Sequence, residues 1–344
     1  MKNIFISYSR EDLTIVEDEI IPEIKRINGA DCWFDFHEIE AGEFDFPQKI
    51  KDGIKECFIF LLILSKSTIK KDWPLMEFEE ANNHAINNPL RHVVLVNIDG
   101  TEIIGNFASY KDFRDIIYWE NHRQHIKLID NINLWIDRQA RTYFEEGLKK
   151  EYYDFEKSFD LLKMSAKLGF AAAQSKIAYY YFRGKEGYLQ SDLQEATKWC
   201  SRATNQGYVG AISLRGSIEK SLGDTSSYIE HHQEAANNGW SYSQYIIGKA
   251  YYDKTIKEDI IQALYWLKKA ADQNQPDAQF LLGKILAYEF KNQSNKAIEY
   301  CNKALKSNEE YALKHPEKKE HSIKKKEEIE KELKKIKSSS CHRK

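Results

Sequence analysis

Short apolar runs punctuate the first third of the chain. Asn3–Ser7 (NIFIS), Asp31–Phe36 (DCWFDF), Phe58–Leu64 (FIFLLIL) and Val93–Ile98 (VVLVNI) read as strands, with Ile116–Trp119 (IIYW) a weaker fifth. Runs that are apolar on both faces of the pleat belong in a parallel sheet covered by helices on each side. Between them, Asp12–Ile27 sets Ile15, Ile20, Ile24 and Ile27 at helical spacing, and Phe46–Glu56 and Trp73–Ile86 predict further short helices. Strands alternating with helices predict an α/β, doubly wound, flavodoxin-like sheet.

Past residue 133 the strand pattern stops and an internal repeat begins. Its landmark is a Gly or Asn closing a helix: Gly169, Gly207, Gly239, Asn274 and Asn308. Both residue types tolerate the left-handed conformation that ends helices. Eight residues upstream stand Leu161, Trp199, His231, Trp266 and Tyr300, mostly large and apolar. Four downstream stand the small residues Ala173, Ala211, Ser243, Ala278 and Ala312. Small residues let two helices approach closely and large ones fill the space between units, so the pattern predicts a helix–turn–helix solenoid of about five units. The expected division is a sheet domain over 1–133, helical repeats over 134–310 and a basic, polar helix or tail over 311–344.

Charge sharpens that division. Residues 1–133 carry a net −9, 134–313 a net +1 and 314–344 a net +6, within an overall −2. This balance gives no support to nucleic-acid binding, and acidic residues interrupt the basic tail. The five Cys, at 32, 57, 200, 301 and 341, show no CxxC spacing, so a reducing, cytoplasmic setting is expected rather than a disulfide or zinc framework. The start lacks a signal-like apolar region, and no apolar run approaches the ~20 residues of a spanning helix, so no membrane association is expected. His37, His84 and His92 have no Cys or acid at metal spacing, and no GxGxxG or P-loop pattern occurs.

The segment Phe5-Ile6-Ser7-Tyr8-Ser9-Arg10-Glu11-Asp12 resembles the opening strand and loop of the TIR domain. The likeness continues through Trp33-Phe34-Asp35, then Ile39-Glu40-Ala41-Gly42-Glu43-Phe44 at the family's BB loop. It reaches Ser65-Lys66-Ser67 and Asp72-Trp73-Pro74-Leu75-Met76-Glu77 in the same order. The phrases EATKWCSRATNQG and QALYWLKKAADQNQPDAQFLLGKILAY resemble Sel1-like repeats, relatives of tetratricopeptide repeats, with a degenerate unit around His231.

Some TIR domains cleave the nicotinamide–ribose bond of NAD, and others only assemble. The resemblance implies the first kind, because in such enzymes a Glu four residues after a Trp lies in the cleft under the BB loop. Here that is Glu77 after Trp73. The resemblance likewise implies Ser9, Arg10, Trp33, Asp35, Glu40 and Trp73 around NAD, which is substrate rather than cofactor. Each has a plainer reading: Glu77 as an acid favouring a helix start, Arg10 as a surface cation, Trp33 as core filling, Asp35 as a shaper of its loop. The chemistry suits a lone acid. Departure of nicotinamide leaves a ribosyl cation, which a fixed carboxylate stabilises, and the leaving group is already cationic and needs no acid. Self-association through the TIR domains, a protein or ligand bound by the Sel1 repeats, and a role in bacterial antiphage defence are further implications. The rival reading is a non-enzymatic TIR adaptor.

Overall fold

The computed structural model describes residues 3–34, 46–86, 88, 90–110, 116–256, 259–314 and 319–341. It divides into two compact units, Met1–Ala173 and Gln174–Lys344.

In the first unit, β1 (Ile4–Ser7), β2 (Cys32–Phe34), β3 (Ile59–Leu64), β4 (His92–Asn97) and β5 (Ile116–Tyr118) form one parallel sheet in the order β2-β1-β3-β4-β5. All five expected strands are present. The pleat sends alternate residues to opposite faces. Ile4, Ile6, Ile59, Leu61, Ile63, Val94 and Val96 pack on one side against Val16, Ile20 and Ile24 of α1, a run of helical turns over Leu13–Ile15, Val16–Ile20 and Ile21–Lys25. The middle turns are π-helical and directly precede Pro22, whose missing N–H interrupts the hydrogen-bond ladder. Phe5, Phe60, Leu62, Leu64, Val93 and Leu95 face the other side. They meet Ile50 and Ile54 of α2 (Phe46–Glu56) and Phe78 and Ala81 of α3 (Asp72–Ile86).

The next helix, α4, runs unbroken over His122–Lys150 and so crosses residue 133. Asn121 caps its start by accepting from the N–H groups of Arg123 and Gln124. Leu128, Ile132, Ile136 and Ala140 form one stripe on α4 that joins the sheet's core. The helix then pairs with α5 (Phe155–Lys167): Ser158 Oγ donates to the Gly147 carbonyl at 2.8 Å and Ser165 Oγ to the Ala140 carbonyl at 2.7 Å. Leu168, just past α5, belongs to the same cluster as Ile4 and Ile24. The first helical hairpin therefore shares its core with the sheet.

The helical array continues through α6 (Ala171–Arg183), α7 (Leu193–Thr204), α8 (Val209–Ser221), α9 (Thr225–Asn237), α10 (Ser241–Tyr252), α11 (Ile260–Asp272), α12 (Pro276–Tyr288), α13 (Ser294–Lys314) and α14 (Lys319–Cys341). Gly169, Gly207, Gly239 and Asn274 all have positive φ, as their landmark role requires. Asn308 departs from that expectation. It is buried inside α13, and its side-chain amide donates to the Ser322 carbonyl at 2.8 Å instead of closing the helix. The tail departs too: Ile329, Leu333 and Ile336 of α14 bury against Phe280, Ala297, Cys301 and Ala304, so it caps the array with an apolar stripe. One device went unread in the sequence. Fifteen residues before each of the first four landmarks stands an Asp, and Asp154, Asp192, Asp224 and Asp259 each cap a helix through the side chain.

The degenerate unit holds a buried polar pair. Seven residues before the landmarks come Leu162, Cys200, His232, Leu267 and Cys301, all fully buried. His232 Nδ1 lies 2.9 Å from Ser243 Oγ, with the Tyr228 and Tyr242 rings edge-on beside it. Burial, then His231 and Lys220, push the His232 pKa down to about 4. The unfolded chain binds a proton near pH 6.5 while the folded chain refuses it, so stability falls as pH drops from 6.5 towards 4. The shift corresponds to about 2 kcal/mol lost on acidification from pH 8 to pH 5. His232→Leu, matching Leu162 and Leu267, is expected to remove that share of the acid sensitivity in urea titrations at the two pH values. Equal sensitivity in both proteins would refute it.

Candidate functional site

In this strand order the chain leaves β1 towards β2 on one side and β3 on the other. In doubly wound sheets such a reversal marks the carboxyl ends of β1 and β3 as the place where a ligand crevice is expected. Ser9 and Arg10 follow β1 directly. Ser9 is buried and its hydroxyl donates to the Glu11 carboxylate, while Arg10 is exposed. Lys71 Nζ reaches the same carboxylate at 2.5 Å, and Lys71 with Ser9 holds Glu11 down at about 2.

Beneath these groups a hydrogen-bond network ties the strand ends together. Buried Asp12 Oδ2 accepts from Ser65 Oγ at 2.7 Å and Thr68 Oγ1 at 3.1 Å. Ser65 Oγ in turn accepts from the N–H groups of Ser67 and Thr68, each at 3.1 Å. Asp99 accepts from the N–H of Lys66 at 3.1 Å and of Thr101 at 3.0 Å, adding the loop after β4. A satisfied buried network of this kind fixes loop geometry. Ser65 and Ser67 belong to the segment that carries the TIR likeness, whereas no motif in the sequence marks Asp12 and Thr68 as their anchors. The available signal was a polar side chain just beyond each of two adjacent parallel strands.

α3 begins where the loop after β3 ends, so its first half lies at this edge of the sheet. It packs against β1, β3 and β4. Phe78, edge-on to Tyr110 with ring centroids 4.8 Å apart, helps fix its rotation. Trp73, on the first turn, is 38% exposed, whereas Glu77 is only 6% exposed. Glu77 is the sixth residue of α3, beyond the first turn, where the helix dipole acts most strongly. Taking a carboxylate out of water is costly, so a buried Glu on the sheet-facing side of a helix is an informative feature.

Trp33 is half-buried in β2 and stacks on Phe5 at 4.5 Å, which stacks on Phe60 at 5.4 Å. One ring face is thus committed to the core. The register Ile6↔Phe34 sets the end of β2 beside the end of β1. Asp35, Glu40 and the rest of the 39–44 loop lie outside the described residues. Among the described residues no three His, Cys, Asp or Glu side chains converge on a metal position, and no helix is long and apolar enough to cross a membrane. Cys57 is buried as a core thiol and its pKa is raised to about 12 by that burial.

Residues 4–129 match the TIR domain family. Residues 140–170, 171–208, 241–275 and 276–309 match the Sel1 repeat. Among curated proteins, the chain is 29% identical over 102 residues to the 2' cyclic ADP-D-ribose synthase AbTIR of Acinetobacter baumannii, covering 28% of this chain and 36% of that protein. It is 25% identical over 96 residues to Protein toll of Drosophila melanogaster, covering 27% of this chain and 8% of that protein. Among solved structures, the Sel1 repeat protein from Oxalobacter formigenes aligns with a TM-score of 0.42 at 27% identity, covering 51% of this chain and 55% of that one. The antigen c5321 of uropathogenic Escherichia coli aligns at 0.45 and 20% identity, covering 77% and 55%.

Proposed function

Since the chain is a TIR domain followed by Sel1 repeats, we propose that it binds NAD at the carboxyl edge of its sheet and cleaves the nicotinamide–ribosyl bond. The observation that carries this reading is the buried carboxylate of Glu77 one helical turn beyond Trp73. The likeness of the chain, over 102 residues, to a named cyclic ADP-ribose synthase supports it.

In the proposed reaction the C1'–N bond breaks heterolytically and its electron pair leaves with nicotinamide, which departs neutral. Positive charge then develops on the ribose, and Glu77 stabilises it at short range in a dry site, where such stabilisation is strongest. Attack by water, with loss of a proton, gives ADP-ribose. Attack by the adenine or by a ribose hydroxyl gives a cyclic product. Arg10 is proposed to approach the pyrophosphate as a guanidinium fork, with Ser9, Trp33, Asp35, Glu40 and Trp73 completing the pocket. The Sel1 repeats are proposed to take a protein or ligand that governs self-association of the TIR domains, an arrangement suited to antiphage defence by NAD depletion in the cytoplasm.

A docking role rests on a separate observation: Trp73 and Met76, on the outer side of α3, are 38% and 59% exposed. Purified full-length protein incubated with NAD decides between the two, with products identified by chromatography. Nicotinamide release with ADP-ribose or a cyclic isomer supports the enzyme. NAD left intact, at concentrations where light scattering shows self-association, supports the docking role.

A further inference from the structure

The helical array holds a cavity of about 530 Å³ well away in sequence from the TIR residues, lined by Tyr251, Tyr252, Asp259, Ile260, Ile261, Glu289 and Phe290. Three features of its wall agree. First, three aromatic residues and two carboxylates line it, and among the described residues no cation does. Second, it gathers the C-terminal ends of α10 and α12, each carrying partial negative charge. The opposing N-terminus of α11 is already capped by Asp259, whose Oδ1 accepts from the N–H groups of Ile261 and Gln262 at 3.0 Å. Third, this array otherwise pairs its rings with its own lysines: Lys220 over Tyr228, Lys269 over Tyr265 and Trp266, Lys284 and Lys325 over Phe280. Among the described residues, no cation lies over Tyr251, Tyr252 or Phe290, and neither Asp259 nor Glu289 has an ion-pair partner. The neighbouring Asp253, by contrast, is paired with Lys249, and Asp277 with Lys325. Burial, followed by the Glu289 and Asp253 carboxylates, raises the Tyr252 phenol above its ordinary pKa.

We propose that this cavity binds an ammonium group, seated against the Tyr251, Tyr252 and Phe290 rings and held by Glu289 and Asp259. Aromatic faces attract a cation through their quadrupole, and a carboxylate beside them adds charge without competing for the same side of the ligand. The volume falls within the range of small-molecule sites. Two sources carry this chemistry: a free quaternary ammonium compound, or a lysine side chain of a partner peptide.

Calorimetric titration of the full-length protein separates the outcomes. The probes are choline, its neutral carbon isostere 3,3-dimethyl-1-butanol, and Nα-acetyl-lysine N-methylamide. At least one of the two cations is expected to saturate a single site with Kd on the order of 1 mM. Tighter choline binding identifies a free quaternary cation, and tighter lysine-amide binding identifies a peptide side chain. The isostere is expected to bind at least about tenfold more weakly than choline. Glu289→Gln, on an exposed position, is expected to weaken the cation about fivefold with an unchanged thermal melt. Glu289→Lys, supplying an internal ammonium, should abolish binding. Equal binding of choline and its isostere, unchanged affinity in Glu289→Gln, or no saturable heat from either cation up to about 50 mM would overturn the proposal.

Discussion

Glu77→Gln should retain the fold and lose about 10²–10³-fold of NAD cleavage, the scale seen when one preorganised electrostatic contact to a transition state is removed. Gln keeps the shape and one oxygen of Glu77 but carries no charge to set against a ribosyl cation. Gln matches Glu in volume, so the buried position on α3 stays filled. The thermal melt should therefore stay level while turnover falls. That opposition separates a catalytic acid from a structural one, since loss of a purely structural carboxylate would lower stability with activity following in proportion. KM is expected to move little, because the charge that Glu77 answers develops only as the bond breaks. Full turnover in Glu77→Gln would end the assignment.

Gly29→Ala is expected to be the most damaging small substitution in the first unit. Gly29 has φ +83°, and a Cβ there would sit 2.1 Å from the Leu168 carbonyl oxygen. The left-handed conformation alone costs an alanine about 1–2 kcal/mol. The clash is with backbone, so no side chain can swing aside. Retreat is blocked, because Asn3 grips the same turn from the sheet side: its Nδ2 donates to the Gly29 carbonyl at 2.6 Å and its Oδ1 accepts from the Asp31 N–H at 2.9 Å. A total loss of about 3 kcal/mol or more is expected, near 6–12 °C in melting temperature for a unit of this size. Gly100→Ala is the control. Gly100 also has positive φ, +68°, but nothing lies within 4 Å of its Cβ position. It should cost only the conformational part. Equal melts for the two variants would show that the contact between Gly29 and Leu168 is unimportant.

What the sequence revealed follows from how local each signal was. The strands were legible because runs such as Phe58–Leu64 are apolar on both faces, which leaves a covered parallel strand as the fitting arrangement. Glu77 could be singled out as a candidate because its motif is complete within five residues, Trp73 to Glu77. Asp12 was not, because its partners Ser65 and Thr68 stand 53 and 56 residues away and meet it only once β1 and β3 lie side by side. Asn308 misled because it aligns with Asn274 in the repeat frame. There the helix runs on, since the Asn308 amide is engaged by the Ser322 carbonyl and supplies no left-handed stop. The tail's charge hid its three apolar contacts, Ile329, Leu333 and Ile336, although they stand at spacings of four and three. The change of composition near residue 133 suggested a break, while the stripe Leu128, Ile132, Ile136, Ala140 ran straight through it.

That stripe governs how the chain can be cut and spliced. A chimaera joined after residue 133 would sever α4 between Ile132 and Ile136 and strip Ile136, Ala140 and Leu168 from the apolar interior that Ile4 and Ile24 occupy. Such a graft would begin life with an open seam. An exchange of repeat cassettes has to carry the first hairpin along with its host and make the join no earlier than Ala173.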